Sequence, residues 1–370
     1  MASHAYADGE AFERSTFAGA GYLRLSTAES AVFVIGNDLE YGDFSLSFDI
    51  LAIAGQKKPA EIDTIILRDL EYDTGTYGIA YTELRDVTFG QGLLVSNYSP
   101  WSRGPSLLSN KGGGLRSYYD GDIYSVDSFG TWSHVYGVRL EQDFFPFFIL
   151  GETYAADVDG FDLKQSSGAT KNIRKMTGYG ADLRTEVFED TNFYVEAAKL
   201  EEYGSAYSLG IIFERDRVFL NTLFSVERRF IDPNFIPGYF GPFYESVPID
   251  ISLVEADKGG RDGYLVKFDT MILGFVDFNL ILETCDAGRP AFGGDLTVWF
   301  IKDVNLRVLY REPGYSVFRV ESFEDAKIVG GSLTYDITSS IALGGHYKKT
   351  FNPLLGNVEE SSFGEVKYYF

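Results

Sequence analysis

Apolar and polar residues alternate with a period of two through long stretches of the sequence. The alternation is clearest in four segments, which are 43–50, 179–187, 264–269 and 304–311. Because successive side chains of a β-strand point to opposite faces, each segment has one apolar and one polar face as a strand. Few segments repeat their apolar residues every 3.6 positions, as an amphipathic helix would. The pattern therefore predicts an all-β chain.

The connections between the predicted strands alternate between short and long from residue 131 onward. Short ones lie at 143–146, 189–191, 215–217, 274, 302–303 and 336–339, and longer polar or Gly/Pro-rich ones at 157–177, 231–262, 286–291, 313–325 and 350–361. Only the connection at 201–204 is short where this rhythm expects a long one. Such alternation is typical of an up-and-down antiparallel meander. The strands, of about 9 to 13 residues, suit a tilted crossing of a bilayer.

Charges recur on the polar faces of these strands, as Asp182, Arg184 and Glu186 illustrate. A soluble core would bury them at a cost, whereas a closed barrel in lipid lets them line a wet lumen. About 14 strands follow residue 114 and a few more fit within 20–97, so we predict a transmembrane antiparallel up-and-down β-barrel of about 16 strands (range 14–20). Residues 20–370 form the barrel, and residues 1–19 a leader or periplasmic extension.

Composition excludes several classes of protein. The 54 Asp and Glu residues against 32 Lys and Arg residues give a net charge of −22, which argues against nucleic-acid binding. One cysteine permits no intramolecular disulfide, three histidines leave little for a zinc site, and no apolar run is long enough for a transmembrane helix. The 31 Phe, 25 Tyr and 40 Gly residues are typical of β-structure. Phenylalanines beside the short connections favour the aromatic girdles of membrane barrels, with cross-strand pairs in a soluble sheet as the alternative.

The N-terminal residues contain no apolar stretch of the kind that a signal peptide needs. Ala5, Tyr6 and Ala7 resemble the small-residue pattern that precedes a signal-peptidase cut. This favours a mature exported protein, and an ordinary cytosolic N-terminus is the alternative.

The last strand of the sequence ends in an aromatic residue. Val366, Tyr368 and Phe370 share one face of this predicted strand. The segment resembles the C-terminal signal of bacterial outer-membrane β-barrels, and the chain as a whole resembles a porin-like barrel over most of residues 20–370. No motif fixes a closer family. The resemblance implies the bacterial outer membrane, contact with its lipid, and assembly by the barrel-assembly machinery through these three residues.

Size and resemblance together imply a porin, because barrels of 16–18 strands leave an aqueous channel. We expect passive diffusion of small hydrophilic solutes and ions through a homotrimer, without a cofactor, a catalytic residue or a metal site. The acidic excess predicts a weak preference for cations, and opposed acidic and basic walls would set a transverse field. The residues predicted to line the pore are Arg139, Glu141, Asp182, Arg184, Glu186, Glu196, Glu227, Arg229, Lys267, Asp269, Asp295, Arg307 and Arg311, with Glu365 and Lys367 on a similar polar face.

Two loops are candidates for narrowing the channel. The longest, 231–262, is rich in proline and aromatic residues, and in porins such a loop enters the lumen or latches onto a neighbouring subunit. A loop packed against itself at the surface is the alternative. The segment 99–105 either folds inward or covers a rim. Upstream of it, the sequence Phe89-Gly90-Gln91-Gly92-Leu93 resembles a recurring element of some bacterial barrels, which implies no activity.

Other candidate chemistry is weak. Ser133 and His134 are adjacent and point to opposite strand faces, so they do not form a nucleophile–base pair, and His346 is expected near the lumen. The Gly-rich run at 111–114 lacks the ending of a phosphate-binding loop. Acidic residues at 157, 159 and 162 offer oxygen ligands for a divalent cation, although a solvated acidic loop explains them as well.

Three functions besides that of a porin are compatible with the sequence. The first is a structural barrel with a plugged lumen, which would anchor a surface layer or sheath. The second is an outer-membrane barrel enzyme, and the third is a soluble all-β binding protein.

Overall fold

The computed structural model describes residues 13–25, 29–55, 61–84, 87–99, 113–159, 161–164, 170–173, 175–241, 244, 261–286, 290–299, 304–312, 327–352 and 357–370. No helix in these ranges is long and apolar enough to cross a membrane.

Twenty strands form one large sheet. Five of them precede residue 84, and they are β1 (Glu13–Leu25), β2 (Glu29–Tyr41), β3 (Phe44–Gly55), β4 (Glu61–Asp73) and β5 (Tyr77–Glu83). Two short hairpins lie outside the large sheet, and they are β6 (Val87–Phe89) with β7 (Val95–Tyr98), and β12 (Phe161–Lys164) with β13 (Thr170–Ile173). The remaining strands are β8 (Gly113–Asp120), β9 (Tyr124–Thr131), β10 (Val135–Phe144), β11 (Phe148–Asp157), β14 (Met176–Phe188), β15 (Thr191–Leu200), β16 (Gly204–Arg217), β17 (Leu220–Ile231), β18 (Arg261–Ile272), β19 (Val276–Cys285), β20 (Ala291–Val298), β21 (Val304–Arg311), β22 (Ile328–Thr338), β23 (Ile341–Asn352) and β24 (Asn357–Tyr369).

The large sheet closes on itself as an antiparallel barrel. Each strand pairs with its chain neighbours in the sheet, so that β5 pairs with β8 and β11 with β14 across the two hairpins. The first and last strands also pair, with Phe17 opposite Tyr369. Closure leaves no sheet edge unpaired, which is the requirement for spanning a membrane with strands. The porin-like architecture is thereby confirmed.

The predicted count of about 16 strands is wrong, because the barrel has 20. The undercount lies mainly before residue 100, where the period of two is broken. The pairing of β3 with β4 shifts register twice, between Ser47 and Phe48 and between Leu51 and Ala52. Each irregularity moves the following side chains to the other face, so β4 does not alternate in sequence. The first strand begins at Glu13, ahead of the expected boundary at residue 20.

The wall strands turn an apolar face outward and a mixed face inward, and the inward face is buried over much of its length. On adjacent strands, Val195, Leu209 and Val226 are well exposed, whereas Glu196 and Glu227 are 3% and 1% exposed. In a closed barrel the buried face is the interior, so the exposed apolar face is the one that contacts lipid. The arrangement is that of a bacterial outer-membrane barrel.

The two rims of the barrel differ. Tight connections join β2 to β3, β10 to β11 and β16 to β17 at one rim, where β1 begins and β24 ends; we call it the short-turn rim. The four longest connections, 84–112, 158–175, 232–260 and 312–327, all lie at the other, the long-loop rim. The short connection after Leu200 also lies there, beside part of the 231–262 loop, since a Cβ on Gly204 would come 3.0 Å from the Phe235 nitrogen.

Candidate functional site

A hairpin folds into the barrel from the long-loop rim. It consists of β6, β7 and the tip 90–94, and we call it the lumen hairpin. Its tip turns through Gly90 and Gly92, which have φ values of 62° and 93°, a region that favours glycine. Leu93, Leu94 and Val95 follow as an uninterrupted apolar run and are all at most 1% exposed. A run that is apolar on both faces fits a segment surrounded by protein.

Charged side chains of the inner wall hold the tip of the lumen hairpin. The Leu93 N–H donates to Glu196 Oε2 at 3.1 Å, and Lys267 Nζ donates to the Gln91 carbonyl oxygen at 2.8 Å. Glu196 belongs to β15 and Lys267 to β18, and they bind backbone atoms on either side of Gly92. Because both wall side chains belong to strands that are paired on each side, the two contacts fix the depth of the tip.

A second inserted segment lies beside the hairpin. It comprises residues 232–241 with Tyr244, and we call it the lumen segment. Its backbone bonds to the hairpin through Gly238 N–H to Leu93 O at 2.8 Å and Ser96 N–H to Phe240 O at 3.0 Å. This part of the long 231–262 loop therefore enters the barrel, which is one of the three positions that the sequence left open for the loop.

The lumen hairpin and lumen segment share one apolar cluster with the wall. The buried members from the two insertions are Val87, Phe89, Leu93, Leu94, Val95, Tyr98, Phe235, Ile236, Tyr239, Phe240 and Tyr244, and Leu84, which lies just before the hairpin, joins them. The buried members from the wall are Phe129, Val135, Ala155, Met176, Ala198, Leu200, Ala206 and Ile231. The wall members come from β9 to β17, near the long-loop rim. The insertions thus fill one side of the barrel at that end.

Tyr244 ties the lumen segment to the wall. Its hydroxyl donates to Asp157 Oδ2 at 2.7 Å at the end of β11. Burial, with Tyr239 and the Asp157 carboxylate close by, raises the pKa of the Tyr244 hydroxyl well above its usual range. The hydroxyl therefore stays protonated as a donor at any physiological pH.

Ion pairs on the inner wall connect residues of one strand and strands that are two positions apart in the barrel. Arg139 contacts Asp182 at 2.7 Å between its Nη1 and Oδ2, and Glu141 lies on its other side. On the next part of the wall, Arg229 bridges Glu227 and Glu283, with 2.7 Å between its Nη1 and Glu283 Oε1. Such buried charges persist only because each one is paired.

A cavity of about 100 Å³ separates the two insertions from strands β17 to β21. Gly92 and Gly238 form the side nearest the insertions, and Arg229, Lys267 and Arg311 are among the residues on the wall side. Its polar lining and small size suit water or a small hydrophilic group.

All residues predicted to line the pore occupy inward positions of their strands. Those near the hairpin tip form contacts there or with each other, and they are Arg139, Glu141, Asp182, Glu196, Glu227, Arg229 and Lys267. Arg311 lies at the small cavity, and Asp295 and Arg307 at a second one near the short-turn rim. Arg184, Glu186 and Asp269 lie toward that rim, away from the hairpin tip.

The C-terminal residues face away from the lumen. Val366, Tyr368 and Phe370 are all exposed, and the Phe370 N–H donates to the Thr16 carbonyl oxygen of the first strand at 3.0 Å. Glu365 and Lys367 alternate with them and contact each other at 3.0 Å.

Sequence reasoning missed two kinds of residue at the inner wall. Tyr194 donates its hydroxyl to Glu227 Oε2 at 2.6 Å, although an aromatic residue gives no sign of an inward position. Thr297 and Trp299 line the second cavity and are ordinary strand residues in sequence. Their inward positions follow from the strand register, which the alternation indicates only in part.

The weaker candidates have partners other than each other. His134 Nδ1 lies 2.6 Å from Asp159 Oδ2, and Ser133 Oγ lies 3.0 Å from Thr131 Oγ1. His346 Nε2 lies 3.1 Å from Glu365 Oε1. Across the ranges that the structure describes, no three His, Cys, Asp or Glu side chains are grouped to hold a metal ion. The side chain at 162, residues 111–112, and all of 99–105 except Ser99 lie outside the described residues.

No protein-family model matches this sequence, and no curated protein matches it. Several crystal structures match this chain at low similarity. OccAB4 of Acinetobacter baumannii has a TM-score of 0.39 and 10% identity, over 96% of this chain and 97% of that one. OpdO of Pseudomonas aeruginosa has a TM-score of 0.41 and 10% identity, over 96% of each chain. A BenF-like porin of Pseudomonas fluorescens Pf-5 has a TM-score of 0.38 and 10% identity, over 97% and 98%. Matches this weak do not bear on function, and the barrel class rests on the closed strand order and the two-faced strands.

Proposed function

We propose that this protein is an outer-membrane porin through which small hydrophilic solutes and ions diffuse passively. The observation that carries the proposal is a closed barrel of 20 strands whose inner wall is lined with charged and polar side chains. Barrels of 16–18 strands already leave an aqueous channel, and a charged wall is stable only where water or ion pairs solvate it.

The lumen hairpin and the lumen segment form the constriction in this proposal. They occupy the side of the barrel next to β9 to β17, and the inner faces of β19 to β22 border open space near the short-turn rim. A solute would therefore pass between the insertions and the wall that carries Arg229, Lys267 and Arg311. Passage through a polar gap favours hydrophilic over apolar solutes.

We further propose a weak preference for cations. The net charge of −22 raises the local concentration of cations at the two mouths of the channel. The preference is weak because basic and acidic residues are closely interspersed on the inner wall.

A structural barrel with a blocked lumen is the second candidate, since the two insertions and their apolar cluster are dense at one end. Conductance of single barrels in a planar bilayer separates the two functions. We expect stable current steps and a reversal potential of cation-selective sign under a KCl gradient. A protein that inserts and stays folded in detergent but passes no current would contradict the porin proposal and support the structural barrel.

Assembly is a separate part of the proposal. We propose a homotrimer, with the strand that carries Val366, Tyr368 and Phe370 recognised by the barrel-assembly machinery during insertion. Light scattering of the purified detergent complex measures the number of chains, and a monomeric mass would overturn the trimer without affecting the channel.

A further inference from the structure

A cavity of about 400 Å³ lies on the inner wall near the short-turn rim. We call it the mouth alcove. It is formed by β19 to β22, and the side chains that matter here are Asp277, Asp295, Thr297, Trp299, Asn305 and Arg307. It is separate from the lumen hairpin and from the small cavity beside it.

The strand register sets the order of these groups. Asp277 is opposite Thr297, Thr297 is opposite Arg307, and Arg307 is opposite Ser332. The carboxylate and the guanidinium thus belong to strands that are two spacings apart, about 10 Å between their backbones. A hydroxyl lies between them on the same face. Asp295 lies one pair further along β20, so a second carboxylate flanks the row.

Three of these polar groups lack partners among the described residues. Thr297 is 9% exposed, and no described group lies within hydrogen-bond distance of its hydroxyl. Nor does any described residue form an ion pair with Arg307 or Asp277, although the two are close enough to interact electrostatically. Although the Thr297 side chain is nearly buried, its hydroxyl oxygen is open to the cavity. Because Arg307 and Asp277 line one cavity without forming an ion pair, a ligand can bind between them.

We propose that the mouth alcove binds a zwitterionic solute whose ammonium and carboxylate groups are separated by an aliphatic chain. The carboxylate pairs with the Arg307 guanidinium, and the ammonium group pairs with the Asp277 carboxylate. The Thr297 hydroxyl, which lies opposite Arg307, donates to the same solute carboxylate, and the Trp299 indole covers the methylene groups. This proposal rests on the proposed function, because it supplies a class of solute for the channel.

The charges of the alcove disfavour simpler ligands. A plain anion would meet two carboxylates for one guanidinium, and like charges at this distance repel it. A plain amine would pair with Asp277 and leave Arg307 without a partner. A molecule with both charges satisfies both ends at once, and the distance between the two groups selects its length.

Calorimetric titration of the detergent-solubilised barrel with a matched series of probes tests the proposal. The probes are 6-aminohexanoate, hexanoate, hexylamine and glycine. We expect 6-aminohexanoate to bind about tenfold or more tightly than the other three, since each of them loses one charged contact or the correct spacing. Equal affinity across the series would overturn the proposal, and so would tighter binding of the amine or the carboxylate alone.

Two variants assign the ends of the ligand. Arg307→Gln should lower the affinity for 6-aminohexanoate to that for hexylamine, and Asp277→Asn should lower it to that for hexanoate. The matched controls are Arg215→Gln, on the outer face at the same rim, and Asp143→Asn, at the same rim but on another part of the wall. Both controls remove the same charge and should leave binding unchanged. If the controls weaken binding as much as the alcove variants, the solute binds elsewhere and the proposal fails.

The experiments can contradict the porin proposal and the alcove proposal independently of each other. Conductance without binding of any probe overturns the alcove and leaves the porin proposal standing. Binding of 6-aminohexanoate by a barrel that passes no current supports the alcove and overturns the porin.

Discussion

Gly90 shows how closely the lumen hairpin meets the wall. Its φ of 62° lies in the left-handed region, and a Cβ there would come 2.6 Å from Glu196 Oε1 and 3.0 Å from Asp182 Oδ2. Gly274, in a short turn at the opposite rim, has a similar φ of 69°, yet a Cβ there would meet nothing within 4 Å. The two residues therefore share a backbone requirement and differ in their surroundings.

Replacing each glycine by alanine separates these two effects. We expect Gly274→Ala to cost roughly 1 kcal/mol of stability, which is the penalty for a side chain in the left-handed region. Gly90→Ala should cost at least about 1.5 kcal/mol more, because the new methyl group displaces Glu196 from the Leu93 N–H. The urea concentration at which the folded band disappears from an unheated gel measures both. Equal losses would show that the hairpin tip does not press against the wall.

At the scale of elements, the sequence predicts the inward face of a strand correctly where the pairing of that strand is regular. Strands β14 to β17 pair with at most one register shift, so their alternation in sequence placed Asp182, Glu196 and Glu227 on one face correctly. The pairing of β3 with β4 contains two register shifts, so alternation in sequence does not show which residues of β4 face inward. Local pattern identifies a strand only where its pairing is regular.

The lumen hairpin could not be placed by local pattern at all. Its anchors are distant in sequence, since Glu196 follows Leu93 by 103 positions and Lys267 follows Gln91 by 176. The glycines at 90 and 92 and the apolar run that follows them indicate a buried turn. They do not indicate which strands surround it, because that depends on how the whole barrel closes.

Removal of the lumen hairpin tests its role as the constriction. The pairing of β5 with β8 uses no residue of the hairpin, so replacing 87–98 with a short Gly/Ser linker should leave the barrel closed. We expect single-channel conductance to rise by roughly twofold, because one of the two insertions leaves the lumen. Planar-bilayer recording measures the change.

The hairpin formed by β12 and β13 supplies the control for that deletion. It arises at the same rim and forms a two-stranded sheet of its own. Shortening it should change the conductance much less than removing the lumen hairpin. If both deletions have the same effect, the lumen hairpin is not the narrowest part of the channel.

At the scale of the whole molecule, acidic and basic residues differ in how they respond to pH. Carboxylic side chains in water lose their charge as the pH falls through about 4, while lysine and arginine keep theirs. The chain has 54 of the former and 32 of the latter. The charge of the molecule therefore changes from strongly negative at neutral pH toward positive in acid. The field at both mouths of the channel must change in the same direction.

The proposed cation preference should therefore decline on acidification and reverse below about pH 4. The reversal potential under a fixed KCl gradient, recorded between neutral and acidic pH, measures it directly. Flux of an uncharged sugar through the same preparation is the control, because it depends on the width of the channel and not on its charge. Stable sugar flux with a falling cation preference would show that charge alone sets the selectivity. A reversal potential that does not move with pH would show that titrating carboxylates do not set the selectivity, and it would contradict the acidic-mouth explanation.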